Sequence, residues 1–370
     1  MKHATHNSRR NFLKNSLTGG VALSAVPMMG YASQEWTAAS MPLIKKPVPR
    51  LPCKILMASG LGDGYEKQIQ VISPEIKLLK DLKDQAYTEA LKQADVYFGS
   101  ISAEDFALAE NLSWVQSASA GVEKQLYPEF AKSEVVLTNA KGCYGPAIAE
   151  HVMGLLFSLT RKIGSQIRNM REHKWYGGEE QIEMKNLTMG IVGFGGIGRQ
   201  IARRASAMDM KVVAADIQGL YQEQIGDVCD ELYYVYDGGL EKLLEQSDVV
   251  VCAVPHTPVS EGMFGEAQFK QMKQGAYFIN ISRGKLVKTD ALQAALASGH
   301  LSGAGLDVTD PEPLPAEHPL WDFENVIITS HISGRSQYSS ERTQSVFAEN
   351  VRRYVHGYPM VNLVDKEAGF

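Results

Sequence analysis

Thr188-Met189-Gly190-Ile191-Val192-Gly193-Phe194-Gly195-Gly196-Ile197-Gly198-Arg199-Gln200 is the stretch on which the reading of this chain turns. A run suited to a buried strand enters Gly-x-Gly-x-x-Gly, and an amphipathic helix follows over 199–208. The glycine spacing alone is common and fits a merely structural turn. Between a strand and a helix it has a sharper meaning. Gly193 permits the tight turn, Gly195 lets the backbone approach a pyrophosphate, and Gly198 lets helix and strand pack closely. Gly196 and Ile197 complete the loop, whose helix N-terminus offers unpaired N–H groups to phosphates. Asp216, 18 residues after Gly198, closes the next apolar run. There it is placed to accept hydrogen bonds from ribose hydroxyls, and its charge would repel the extra phosphate of NADP. The expected cofactor is NAD.

Working toward the C-terminus, apolar runs at 211–215, 249–252, 277–280, 303–306 and 326–329 continue the series. With 188–192 they make six near-continuous buried strands, the count of a complete dinucleotide-binding domain. Toward the N-terminus, runs at 55–57, 96–98, 114–116 and 135–137 alternate with amphipathic stretches, which calls for a second parallel sheet covered on both faces. A long helix opens at Gly145-Pro146, proline being tolerated at the first helical position. Ile148, Val152, Leu155, Leu156, Leu159 and Ile163 give it an apolar face. The amphipathic segment 333–354 returns to the first sheet. The expected fold is therefore α/β with two doubly wound parallel-sheet domains. A Rossmann NAD-binding domain (146–331) is inserted in a flavodoxin-like substrate domain (53–145, with the C-terminal return 332–358).

A chain of 370 residues suits two domains. The formal net charge of -5, with no long basic run in the body of the chain, argues against nucleic acid as a partner. Cys53, Cys143, Cys229 and Cys252 form no CxxC pair, so neither a metal site nor a disulfide framework is signalled, and each is expected to be a small buried hydrophobe. Ser8-Arg9-Arg10-Asn11-Phe12-Leu13-Lys14 fits the twin-arginine export consensus. An uncharged stretch over 17–29 and small residues around Gly30-Tyr31-Ala32 follow. That stretch falls short of the roughly 20 residues of a membrane-spanning helix. Residues 1–32 are read as a signal peptide for the periplasm, 33–52 as a linker. A disordered basic arm is the alternative, and an inefficient signal would leave enzyme in the cytoplasm.

Three polar residues follow strands of the second domain, where open parallel sheets place their ligands: Arg283, Glu312 and His331. Each alone is more often a surface charge. Together they suit hydride chemistry at a hydroxyl-bearing carbon. Histidine can take or give the hydroxyl proton near neutrality, a glutamate would orient the ring, and an arginine would hold a carboxylate and polarise a carbonyl.

Several stretches in order, WVQSASAGVE (114–123), GIVGFGGIG, FINISRGKLV, GAGLDVTDPEPLP and NVIITSHISG, resemble the D-2-hydroxyacid dehydrogenase family across residues 54–355. Relatives of the glyoxylate/hydroxypyruvate reductase and phosphoglycerate dehydrogenase kinds are the ones it looks like. The resemblance implies that Arg283, Glu312 and His331 form the family's catalytic triad. It implies that backbone N–H groups of Ala120, Gly121 and Val122, with Arg283, bind the substrate carboxylate. It implies that Asp307 contacts the nicotinamide, that Pro255, Ile281 and Ser282 line the cofactor with Arg283 and His331, and that the protein is a homodimer built partly from the helix after Pro146. Glu312, where formate dehydrogenases carry glutamine, argues against formate; phosphite oxidation shares the triad. A cofactor-binding, corepressor-like regulator on the same fold is the rival reading. His256 is expected to face solvent and His318 to be structural, while His151 and His173 suggest no role. Substrate choice is assigned to loops near Gly60–Tyr65 and Ser100, with glyoxylate or hydroxypyruvate suggested by the AGV-type loop.

Overall fold

In the computed structural model, residues 51–218 and 226–370 are described; the export motif and nearly all of the linker lie outside them. Among the described residues, twelve parallel strands lie in two sheets. The first sheet is built from β1 (Cys53–Met57), β2 (Ile76–Leu79), β3 (Val96–Phe98), β4 (Trp114–Gln116) and β5 (Val136–Thr138), in the order β2-β1-β3-β4-β5. The second holds β6 (Thr188–Val192), β7 (Lys211–Asp216), β8 (Glu231–Tyr234), β9 (Val249–Cys252), β10 (Ala276–Asn280), β11 (Leu301–Leu306) and β12 (Val326–Ile328). Their order is β12-β11-β10-β9-β6-β7-β8. Among the described residues no helix is long and apolar enough to cross a membrane.

The doubly wound architecture expected from the alternation of runs and helices is the one observed. Two strands were not foreseen, and both are edge strands. Only Ile76 of β2 is buried, and no residue of β8 is, so neither presents the continuous apolar run that marks β6, β9 and β10. The helix opened by Gly145-Pro146 also differs. It ends at Thr160, Lys162 takes a left-handed conformation (φ 56°), and a separate helix, Ile163–Arg171, begins. Ile163 therefore leaves the apolar face to which its spacing assigned it and is 44% exposed. The rest of that face, Ile148, Val152, Leu155, Leu156 and Leu159, is buried with Ile201, Ala202 and Ala205 of the Gly196–Ser206 helix.

The C-terminal helix Ser339–Val355 packs on the first sheet, as its amphipathic pattern requires. Phe347 stacks on Phe98 with ring centroids 4.1 Å apart, and Tyr354 lies against Trp114 at 5.4 Å. The chain past residue 358 continues onto the same sheet, with Leu363 bridged antiparallel to Thr138 and the Val364 N–H donating to Leu137 O at 3.0 Å. All four cysteines are buried free thiols. Burial pushes each thiol up, to about 11 for Cys143 and Cys229 and about 12 for Cys53 and Cys252, so none offers a thiolate.

Candidate active site

Strand order reverses between β6 and β9, and the glycine loop sits at this switch point, after β6. Gly193 has φ 95°, and a Cβ there would lie 2.7 Å from the Ala253 carbonyl oxygen after β9. A Cβ on Gly198 would overlap the Gly193 carbonyl oxygen. Gly195 differs: a Cβ on it would meet nothing within 4 Å. The space above it is open, which fits the approach of a pyrophosphate rather than a packing need. Gly195 is also the N-cap of the Gly196–Ser206 helix, which starts three residues earlier than its amphipathic pattern suggests. With no cap side chain, the first N–H groups stay available to an anion. Ile197 is half-buried against the core.

Asp216 stands at the end of β7, and Oδ2 accepts from Phe194 N at 2.6 Å while Oδ1 accepts from Gln218 N at 2.9 Å. These bonds hold the carboxylate beside the glycine loop and leave each oxygen a second lone pair for a ribose hydroxyl.

Arg283 follows β10, in a turn clasped by the buried Asn280. Asn280 Oδ1 accepts from Ser282 N at 3.0 Å and its Nδ2 donates to Arg283 O at 2.9 Å. Ile281 and Ser282 are buried in this turn, while Pro255 stands exposed after β9 with its carbonyl held by Ser260 Oγ at 2.8 Å. The Arg283 guanidinium reaches the loop after β4: Nε donates to Glu123 Oε1 at 2.7 Å, and Nη1 to Ser282 O at 2.7 Å. It lies directly against Gly121, where a Cβ would fall 3.0 Å from Cζ and 2.8 Å from Glu123 Oε2. Burial pushes the Glu123 carboxyl up, but hydrogen bonding and charge from Arg283 outweigh it and hold it below the usual value. Glu123 was not foreseen as a site residue. It lies 160 positions from its partner, and only its place at the end of the 114–123 stretch could have drawn attention to it.

Glu312 and His331 come together as expected, His331 Nδ1 to Glu312 Oε1 at 2.6 Å. A carboxylate only accepts, so Nδ1 carries the hydrogen and Nε2 is the nitrogen that can exchange a proton with a ligand. The Glu312 loop abuts the Arg283 turn backbone to backbone, since a Cβ on Gly284 would overlap the Thr309 carbonyl. His331 itself has φ 53°, and its N–H donates to Asp307 O at 2.9 Å.

Asp307 is 1% exposed, and its carboxylate is taken up by the His331 loop. Oδ1 accepts from Thr329 Oγ1 at 2.6 Å and Ile332 N at 3.0 Å, and Oδ2 from Ser333 N at 2.9 Å. Burial raises its pKa, yet bonds from Ser333, Thr329 and the Ile332 amide prevail and hold the carboxyl below the ordinary aspartate range. What the structure shows for Asp307 is a support of the His331 loop. His151 belongs to the same support, with Nε2 2.9 Å from Thr329 Oγ1. His256 is not turned to solvent: its side chain is 18% exposed and Nε2 lies 3.1 Å from Glu261 Oε2. His318 Nδ1 accepts from Leu320 N at 3.2 Å, a structural cap.

Ala120, Gly121 and Val122 lie after β4. Among the described residues, no protein acceptor meets the N–H of any of them. The loop is held from the adjacent segment after β5, where Tyr144 Oη donates to Ala118 O at 2.6 Å, Ala140 N to Ser119 O at 3.0 Å, and Asn139 Nδ2 to Ala120 O at 2.8 Å. Segment 139–144 also touches the cofactor loop, as a Cβ on Gly196 would lie 3.6 Å from Gly142 Cα.

A strand–glycine loop–helix at a switch point, a carboxylate one strand on, and an Arg beside a His–Glu pair define a nicotinamide-dinucleotide oxidoreductase with two parallel-sheet lobes. Residues 153–333 match the model of the D-isomer specific 2-hydroxyacid dehydrogenase NAD binding domain. A glyoxylate reductase of Thermofilum pendens is 34% identical over 272 residues, covering 72% of this chain and 79% of that protein. The structure of an Aeromonas salmonicida D-isomer specific 2-hydroxyacid dehydrogenase family protein superposes with a TM-score of 0.74 at 30% identity, covering 85% of this chain and 99% of its own. A glyoxylate/hydroxypyruvate reductase of Sinorhizobium meliloti, solved with NADP and sulfate, gives 0.72 at 28% identity, with 86% and 99% covered. The chain belongs to the D-isomer specific 2-hydroxyacid dehydrogenase family, and its second sheet is the NAD-binding domain of that family.

Proposed function

We propose that this protein reduces small 2-oxo acids, glyoxylate or hydroxypyruvate foremost, to D-2-hydroxy acids with NADH, and runs the reverse oxidation with NAD. The observation that carries the reading is the His331–Glu312 pair, which leaves Nε2 the proton-exchanging atom beside the Arg283 turn. The glycine loop and Asp216 would hold the dinucleotide by its pyrophosphate and ribose, and its nicotinamide would supply the hydride to C2. Arg283 and the free N–H groups of 120–122 would hold the substrate carboxylate, and Arg283 would polarise the C2 carbonyl. His331 Nε2 would give the carbonyl oxygen its proton in reduction and take it back in oxidation, with Glu312 stabilising the imidazolium. Asp216 favours NAD over NADP by charge. The test is loss of NADH absorbance over a panel of 2-oxo acids. His331→Ala is expected to lower kcat by about 10²–10⁴-fold and Arg283→Ala by about 10²–10³-fold, both still binding NADH. Tight NADH binding without turnover on any acid would favour the regulatory reading instead.

We also propose that the chain is exported by the twin-arginine route with its cofactor bound and works as a homodimer. The export motif at 8–14 supports the first part, since that route carries folded proteins. Ile163, Ile167 and Met170, exposed at i, i+4 and i+7 of one helix, support the second, with Trp175 and Tyr176 exposed just beyond. Periplasmic protein should sediment as a dimer and keep its NAD through dialysis; a monomer, or an empty chain, overturns the corresponding part.

A further inference from the structure

Segment 139–144 does more than lead β5 into the Gly145–Thr160 helix. It draws the carbonyls of Ala118, Ser119 and Ala120 toward itself in succession. In an extended strand successive carbonyls alternate, so three drawn to one segment mean a curled backbone. In a planar trans peptide the N–H points opposite to the C=O. Holding Ser119 O and Ala120 O at segment 139–144 therefore turns the N–H groups of Ala120 and Gly121 away from it, which makes an anion-binding concavity. The Gly121 Cα lies against the Arg283 guanidinium at the same place.

We propose that Asn139 is a positioning residue for the substrate: its side-chain amide holds the Ala120 carbonyl and thereby aims the Gly121 N–H at the substrate carboxylate. This rests on the dehydrogenase reading above. Asn139 is 5% exposed, and its partners fix its amide. Oδ1 accepts from Lys141 N at 3.1 Å, so the donor end is the one that faces Ala120 O. The backbone of Asn139 is pinned in turn by the C-terminal tail. Its N–H donates to Asn362 O at 3.0 Å, and its carbonyl accepts from Asn362 Nδ2 at 3.2 Å. Asn139 thus acts through the Ala120 peptide on the N–H that would meet the acid.

Asn139→Asp is isosteric: it keeps the acceptor for Lys141 N and sets a second oxygen against Ala120 O, which turns the peptide away. The affinity for oxamate, a non-reacting mimic of a 2-oxo acid, and the KM for the 2-oxo acid are both expected to weaken by about tenfold or more. The NADH affinity and kcat should stay within a few fold. Should that variant not fold, Asn139→Ala removes the donor without adding charge. Tyr144→Phe is the contrast. It frees Ala118 O, but the N–H of that peptide, on Ser119, already donates to Ser117 Oγ at 3.1 Å, so oxamate affinity should hardly move. Oxamate affinity unchanged in the Asn139 variants, lost equally in Tyr144→Phe, or lost in step with NADH affinity overturns the proposal alone. A wild-type chain that binds NADH but no oxamate and turns over no 2-oxo acid overturns the dehydrogenase reading with it.

Discussion

Among the described residues, the loops at 193–198 and 118–122 both leave backbone N–H groups without a protein acceptor, and they do so by opposite means. At 193–198 the loop is self-sufficient: a left-handed glycine makes the turn, and the start of the Gly196–Ser206 helix supplies the donors. At 118–122 the donors exist because other residues pull the carbonyls the other way, and those residues come from 139–144, some twenty positions on. The first device is written in six consecutive residues. The second is a tertiary arrangement, and Arg283 from the other sheet closes it. The difference teaches where each loop is vulnerable: the first to its own glycines, the second to its neighbours.

Three glycines sharpen that contrast. Gly198→Ala forces a Cβ into the Gly193 carbonyl, a backbone clash that no side-chain movement relieves. The largest effect belongs here, a loss of more than about 3 kcal/mol of stability, read by chemical denaturation. Gly195→Ala places its Cβ in open space and should leave the unfolding midpoint where it is while weakening NADH at least tenfold, because the methyl stands where a phosphate must come close. Gly121→Ala should do the converse: NADH binding kept, oxamate binding lost, since its Cβ displaces the Arg283 guanidinium. A Gly195→Ala variant as unstable as Gly198→Ala would break the distinction between a packing glycine and a ligand glycine.

The same contrast governs what could be read from the chain. β6, β9 and β10 are buried along their whole length and announce themselves as unbroken apolar runs; β2 and β8 are half in water at sheet edges and do not. Glu312 and His331 were legible because each closes a strand-and-turn unit of one sheet. Glu123 and Asn139 were not: the first meets Arg283 only across the gap between the sheets, and the second meets Ala120 only because β4 and β5 lie side by side in one sheet. Ile163 fits the helical spacing of its predecessors, but Lys162 turns left-handed and the face is broken there. His256 looked like a loop histidine because nothing in its neighbourhood announces the approach of the Glu261 carboxylate five residues on.

Asp307 supplies the finest test of how a loop is held from beneath. Its folded pKa is depressed, so the ionised form is the one that stabilises the fold. That contribution is fully present above the unfolded aspartate value of about 3.9, and it is lost as pH falls through the lower folded value. Asp307→Asn keeps the shape but replaces one acceptor oxygen by an N–H₂ facing either the Ser333 N–H or the Ile332 and Thr329 donors. Near neutral pH the variant should be less stable by about 1–3 kcal/mol, the cost of a buried donor left without its partner. Once the wild-type carboxyl is protonated it too loses acceptor capacity, so the two unfolding curves should converge in acid. A gap that persists unchanged below the folded pKa would show that the misplaced N–H₂ of the variant, and not loss of the carboxylate charge, sets the difference.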